Sequence, residues 1–184
     1  MNYSIEDCCV WIDPLDGTVN YVNGEIQNVT VLIGLAVKGK PQIGLISCGF
    51  EDIYDTKKDD LKFLPRTYVG DTQVNKVFEY KSMSYDEHVL CRTHLPFESY
   101  DLESKKEVVV TTSKHHYSEK VEQCLKFFGE NVKKDQTSGC GYKYLGIING
   151  KFDAYLQNKG GASKWDTISG EALMECLGGV STDF

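Results

Sequence analysis

The stretch "NVTVLIGLAVKGKPQIGLIS", residues 28–47, limits the possible folds more than any other part of the chain. Two runs of β-branched and aliphatic residues flank Lys38-Gly39-Lys40-Pro41, the pattern of two strands joined as a β-hairpin. Just upstream, "CVWI" at 9–12 reads as a short buried strand. From Glu51 to about Lys106 the sequence turns polar, with "TKKDD", one proline-bounded apolar piece at "LKFLP" and no clean period. That span is expected to be a variable surface region and a domain junction. Beyond it, "EVVVTT" predicts a buried strand. A helix follows near 118–128, with Val121, Cys124, Leu125 and Phe128 on one face and Gly129 as its stop. "GYKYLGIING" predicts another helix and "FDAYL" a strand. "DTISGEALMECLGG" predicts a helix capped by Asp166 or Thr167 and ended by Gly178-Gly179. Its apolar face is Ile168, Ala172, Leu173, Cys176 and Leu177. The second half is therefore α/β in pattern, and no internal repeat is present.

Composition narrows the function classes. The chain has 184 residues, 41% of them hydrophobic, enough for a packed core. A net charge of −7 opposes binding to a nucleic acid polymer. No apolar run reaches membrane-spanning length, and "MNYSIEDCC" lacks the build of a secretory signal, so a cytoplasmic address is expected. Seven cysteines without C-x-x-C spacing suggest neither a zinc ribbon nor a disulfide framework, and they read as reduced and mostly buried. An anionic ligand would need positive partners that are local or metallic.

The chemistry concentrates in "WIDPLDGTVNYVNG", residues 11–24. Pro14 fixes its own φ and biases Asp13 toward extended backbone, so Asp13 is expected to end the strand, with Asp16 beside it. Paired carboxylates of this kind suit Mg²⁺, and one carboxylate can bridge two such ions in phosphate-ester chemistry. Gly17 permits a tight turn, and Thr18 offers a hydroxyl to a water. Asp-Pro and Asp-Gly are also ordinary turn dipeptides, so a purely structural turn explains the stretch about equally well. Asp166, in "SKWDTISG", is the second acidic signal; alone it reads as a helix cap or as a carboxylate facing a cation.

The pairing of "DPLDGT" with "WDTISGEALMECLGG" resembles the two signature motifs of the inositol monophosphatase superfamily of Mg²⁺-dependent, lithium-sensitive phosphatases. Within it, "VWIDPLDGT", "VVVTTSKHHYSEKV" and "GCGYKYLGIINGKFDAYL" look most like the bisphosphate nucleotidases, whereas Asn20-Tyr21 is closer to the inositol monophosphatases. The resemblance covers most of the chain except about 51–106. It implies an α/β (α+β) fold with αβαβα layers. Residues 1–106 would form the remainder of an N-terminal α+β domain carrying the metal motif, and 107–184 a C-terminal α/β domain with nucleotide-binding loops. It further implies two or more Mg²⁺ ions, with Asp13 bridging, the Leu15 carbonyl on one ion, and Asp16 and Asp166 on the other. Thr18 would help activate the attacking water. Gly17, Ser113, His116, Gly139 and Lys143 would contact substrate, although His115-His116 as an exposed pair and Lys143 as a solvated helix residue are the plainer alternatives. The implied reaction removes the 3′-phosphate of adenosine 3′,5′-bisphosphate, giving AMP and phosphate. An inositol monophosphate is the alternative substrate, and a catalytically impaired fragment or pseudoenzyme is the alternative of another class. The partner would be a small phosphorylated nucleotide or inositol phosphate, and a homodimer is compatible with it. The family's Glu-Glu metal motif and N-terminal helices have no counterpart in the twelve residues before Asp13, nor its last strand and helix after Phe184. The layered fold is therefore expected to be incomplete at both ends.

Overall fold

The computed structural model describes residues 3–49, 65–82, 90–95, 105–115, 117–157 and 160–182. They form a six-stranded antiparallel sheet, a three-stranded parallel sheet and four α-helices.

The antiparallel sheet runs in chain order: β1 (Cys8–Asp16), β2 (Thr30–Val37), β3 (Lys40–Cys48), β4 (Arg66–Asp71), β5 (Lys76–Ser82) and β6 (Leu90–Leu95). The β2–β3 hairpin forms as the sequence predicts. Lys38 (φ 51°) and Gly39 (φ 78°) take the two left-handed positions of a turn whose twist matches the strands. A five-residue helix, α1 (Thr18–Val22), leaves β1 through Gly17, whose φ of 84° suits glycine.

The second sheet has β7 (Val108–Ser113) between β8 (Val132–Thr137) and β9 (Ala154–Leu156), all parallel. Helix α2 (Glu119–Leu125) begins at Ser118, whose hydroxyl accepts from the Val121 N–H. A 3₁₀ turn extends it to Phe128, and Gly129 ends it as expected. Val121 and Leu125 pack with Val108, Val110 and Leu156 in a small core. Helices α3 (Cys140–Ile148) and α4 (Lys164–Cys176) build the main core instead. Tyr144, Leu145, Leu173 and Met174 meet Leu32, Ile46, Tyr68 and Val77 of the antiparallel sheet.

A row of glycines determines how α4 lies. Trp11, Gly34, Gly44 and Gly70 are successive partners across β1, β2, β3 and β4. A Cβ at Gly34 would stand 2.6 Å from Ile168, one at Gly44 2.0 Å from the Ser169 carbonyl oxygen, and one at Gly70 2.9 Å from Leu173. Trp11 meets Trp165 with ring centroids 6.2 Å apart. Each strand thus meets the next turn of α4, because a helical turn of about 5.4 Å nearly matches a strand spacing of about 4.8 Å. The helix lies across the strands with its backbone close to the sheet, and its N-terminus comes over β1.

Several expectations are corrected. Strand β1 is longer than "CVWI" and is not buried. Val10 is 59% and Ile12 57% exposed, because α4 covers only the face that carries Trp11 and Asp13. The strand does not end at Asp13. Register moves from Asp13↔Leu32 to Asp16↔Thr30, three residues against two, which is a β-bulge. The polar span 51–106 is not irregular throughout, since β4, β5 and β6 lie within it and Tyr68 and Val77 join the core. Most of "LKFLP", residues 61–64, lies outside the described residues. Helix α4 is capped by Ser163 rather than by Asp166 or Thr167; Asp166 is three residues in and completes a capping box by accepting from the Ser163 N–H at 2.6 Å. Of the cysteines, Cys48, Cys140 and Cys176 are buried, Cys8 and Cys124 are half-buried and Cys9 is exposed, all of them free thiols.

Gly44→Ala should therefore destabilise the fold by about 1–3 kcal/mol, since the added methyl group meets backbone that cannot yield without lifting α4. Gly49→Ala, in open space, should stay within about 0.5 kcal/mol. Urea denaturation of the two variants and the parent protein measures the contrast.

Candidate functional site

The bulge in β1 decides where the carboxylates point. Residues three apart on a regular strand face opposite sides of the sheet. The extra residue at Pro14-Leu15 restores the phase, so Asp13 and Asp16 share the face of Leu32 and Thr30, beneath the start of α4. Asp13 Oδ1 accepts from the Leu15 N–H at 3.0 Å, which stabilises the bulge.

Asp16 is buried and accepts three hydrogen bonds. Thr30 Oγ1 donates to its Oδ2 at 2.9 Å, the Gly141 N–H to the same oxygen at 2.8 Å, and the Cys140 N–H to its Oδ1 at 3.1 Å. The two amides are the first of α3, so Asp16 does from another element the work of a helix cap, and Gly139 at the N-cap position has no side chain to do it. Close contact makes both glycines necessary. A Cβ at Gly139 (φ 81°) would lie 2.7 Å from the Asn28 carbonyl oxygen, and one at Gly141 2.2 Å from Thr30 Oγ1. The first two amides of α3 are thus taken by Asp16.

Asp166 reaches the same place from α4. Its carboxylate lies against that of Asp13, and Asp16 and Asp166 are close enough to interact electrostatically. Burial raises the pKa of all three aspartates above the ordinary carboxylate value. The neighbouring Asp166 raises Asp13 further, while hydrogen bonds to Asp16 offset part of its shift. Among the described residues, Asp16, Cys140 and Asp166 offer ligand atoms all within 4.8 Å of one another. With Asp13 against Asp166, the acidic groups fit a divalent cation. Three carboxylates are crowded where they resist ionising, and Oδ1 of Asp16, with one hydrogen bond, keeps a lone pair.

An open cleft above this cluster is lined by Asp16, Gly17, Thr18, Ser113, Gly139 and Lys143, with Asn20, His115, Cys140 and Asp166 also on its wall. Most of the predicted site residues thus come together, from β1, α1, β7, α3 and α4. Leu15 is 38% exposed in the bulge and is not part of the cleft wall. His116 lies outside the described residues, whereas its neighbour His115 is on the cleft wall. Lys143 is not a solvated helix residue; it is 2% exposed, with its ammonium 4.7 Å from the centre of the Tyr155 ring. Burial lowers its pKa, and Cys140, Asp16 and Asp166 oppose the shift. Two participants, Thr30 and Cys140, had no signal in the sequence, and Asn20 stood out there only for the family branch it resembles. Thr30 looks like any strand threonine, Asn20 like a turn residue, and Cys140, whose thiol burial pushes up to about 11, like a core cysteine.

Residues 2–184 match the inositol monophosphatase family, and the chain belongs to it. The match extends to particular relatives. Over 179 residues the chain is 31% identical to 3'(2'),5'-bisphosphate nucleotidase 1 of Homo sapiens, covering 97% of this chain and 50% of that protein. It is 28% identical to putative inositol monophosphatase 3 of Drosophila melanogaster, covering 96% and 42% respectively. The chain therefore spans about half the length of the curated relatives it matches. Among solved structures, CysQ from Bacteroides thetaiotaomicron superposes with a TM-score of 0.67 at 21% identity, covering 97% of this chain and 63% of that one. Inositol monophosphatase from Anabaena gives 0.63 at 19%, covering 94% and 58%. These superpositions establish a shared fold. Among the described residues no helix is long and apolar enough to cross a membrane.

The raised carboxylates set a pH dependence. A folded-state pKa above the unfolded value of 3.8 means that the folded protein holds more protons, so in chelator its stability falls as pH rises through the raised values. Asp13→Asn keeps the acceptor for the Leu15 N–H and removes a repelling charge. In chelator it should melt higher than the parent protein at neutral pH, and the gap should close below pH 3.8. Thermal melts across pH measure both.

Proposed function

We propose that this chain is the site-bearing part of a Mg²⁺-dependent phosphomonoesterase that removes the 3′-phosphate of adenosine 3′,5′-bisphosphate, yielding AMP and phosphate. The observation that carries this reading is a convergence of opposite charges. Two burial-strained carboxylates, Asp16 and Asp166, share the wall of one cleft with the buried ammonium of Lys143, and a third, Asp13, lies against Asp166. A cation-plus-phosphate ligand would satisfy both charges at once.

In this reading Asp13, Asp16 and Asp166, with the Leu15 carbonyl, hold the Mg²⁺ ions. The metal supplies Lewis-acid stabilisation of charge on the phosphoryl oxygens. Thr18, at the first turn of α1 on the cleft wall, orients the attacking water through its hydroxyl. Ser113 and His115 would face the nucleotide from the end of β7, with His116 as the resemblance implies, and Gly17 and Gly139 would line the cleft with backbone, since the Asn28 carbonyl holds the space a Cβ would need at either. The Lys143 ammonium, held by Tyr155 and lacking a hydrogen-bonded carboxylate among the described contacts, is the cation for a substrate phosphate. The division into a metal-bearing part, 1–106, and a nucleotide-bearing part, 107–184, belongs to the same proposal, as does a cytoplasmic address. An inositol monophosphate is the second reading, favoured by Asn20-Tyr21, whose Asn20 is fully buried beside the turn.

The test is release of phosphate from adenosine 3′,5′-bisphosphate and from inositol 1-phosphate by the purified chain with Mg²⁺. The nucleotide should be the better substrate. Thr18→Ala should lower kcat by about 10²–10⁴. Lys143→Ala should raise KM for the nucleotide more than for the inositol phosphate. Equal loss on both substrates would remove Lys143 from nucleotide recognition, and absence of turnover together with absence of Mg²⁺ binding would sink the reading.

A further inference from the structure

One member of the ligand cluster has no place in Mg²⁺ chemistry. Cys140 is 7% exposed at the first position of α3, and its Sγ lies with an oxygen of Asp16 and one of Asp166 inside 4.8 Å. Mg²⁺ takes oxygen ligands and leaves a thiol unused, whereas Zn²⁺ and Cd²⁺ take thiolate and carboxylate together. We propose that Cys140, Asp16 and Asp166 form a site for a thiophilic divalent cation that overlaps the Mg²⁺ centre, so that Zn²⁺ or Cd²⁺ displaces Mg²⁺. The proposal rests on the reading above that Asp16 and Asp166 hold a cation.

Three further observations bear on it. Asp16 Oδ1 keeps a lone pair, since its one hydrogen bond comes from the Cys140 N–H, which also ties the thiol's own residue to the carboxylate. Asn20, 1% exposed on the wall of the same cleft, has an Oδ1 with no hydrogen-bond partner, an orphan acceptor that a metal-bound water would satisfy. Tyr155 supports the sulfur from behind: its hydroxyl lies 3.4 Å from Cys140 Sγ and also contacts Gln157. Its one proton goes to Gln157 Oε1, so here the thiol donates to Tyr155, and turning that hydroxyl to the sulfur would orient a thiolate. On binding, the S–H bond breaks, the sulfur–metal bond forms and the proton leaves to solvent. The consequence is inhibition of the Mg²⁺-loaded protein by trace thiophilic metal, through a residue that contributes nothing to Mg²⁺.

The test is titration with Cd²⁺, followed by the ultraviolet sulfur-to-cadmium charge-transfer band, alongside calorimetry with Mg²⁺. The parent protein is compared with Cys140→Ser, Cys140→Ala and Asp166→Asn, all checked for folding by circular dichroism. Other thiols, exposed Cys9 among them, contribute a background common to every variant. The parent should show a band beyond that background, suppressed by excess Mg²⁺. The band should vanish in both Cys140 variants, with Cd²⁺ affinity falling by about 10- to 100-fold and Mg²⁺ affinity moving far less. Asp166→Asn should also lose it. A band unchanged in the Cys140 variants, or one that persists in Asp166→Asn, overturns the proposal. If Mg²⁺ binds the parent but no Cys140-dependent band appears, this inference falls and the phosphatase reading stands. If the band depends on Cys140 and Asp166 but Mg²⁺ does not bind, the thiophilic site stands, while its overlap with a Mg²⁺ centre falls together with the phosphatase reading.

Discussion

The buried carboxylate of Asp16 is the contact on which the rest of the site depends. It accepts from Thr30 of the neighbouring strand β2 and from the first two amides of α3, 124 and 125 positions away, and so ties this pair of strands to a distant helix. Hydrogen bonds to a charged acceptor contribute about 1.5–3 kcal/mol each, and leaving such donors unpaired in a buried place costs a comparable amount. The same bonds use most of the acceptor capacity of Asp16 and leave a lone pair within the group that Asp166 and Cys140 complete. Structure and chemistry are therefore coupled in one residue: the carboxylate that fixes α3 is also a member of the ligand group.

Around this tie, two geometric devices bring the other carboxylates in. The bulge at Pro14-Leu15 turns Asp13 onto the covered face of β1. The glycine row Gly34-Gly44-Gly70 lets α4 lie against the sheet, and the match of helical turn to strand spacing carries its first turn over β1, where Trp165 meets Trp11. Asp166 adjoins Trp165 and Asp13 stands two residues beyond Trp11, so the aromatic contact and the carboxylate contact are neighbouring consequences of one packing arrangement. The three negative charges gathered there oppose folding at neutral pH without a cation. Such strain is usual at sites built to bind one.

What was legible in the sequence followed from local rules. The hairpin showed itself because Lys38-Gly39 is turn chemistry between two apolar runs, and α2 because a serine, an apolar period and a glycine bracket it. Strands β4 and β5 escaped because each sends only its alternate residues, such as Tyr68 and Val77, into the core, and polar residues dilute the pattern. Strand β8, "VKKDQT", escaped because it is an edge strand with little to bury. The burial of β1 was misjudged because a run of apolar residues does not reveal that only one face will be covered. The cap of α4 was assigned three residues late because Ser163 and Asp166 share the work in a capping box.

The sequence by itself determined the ingredients: two aspartates set around a proline and a glycine at the end of a strand, a third at the start of a distant helix, and a lysine and a serine near other element ends. These are local facts, carried by backbone preference and residue chemistry. Only the tertiary structure decided that Asp16 is a buried cap for α3, that Lys143 is desolvated, and that Thr30, Asn20 and Cys140 belong to the same place. Those roles come from contacts between residues as much as 125 positions apart. Such contacts form only when a bulge, a glycine row and a helix crossing agree in three dimensions, and no local pattern encodes that agreement.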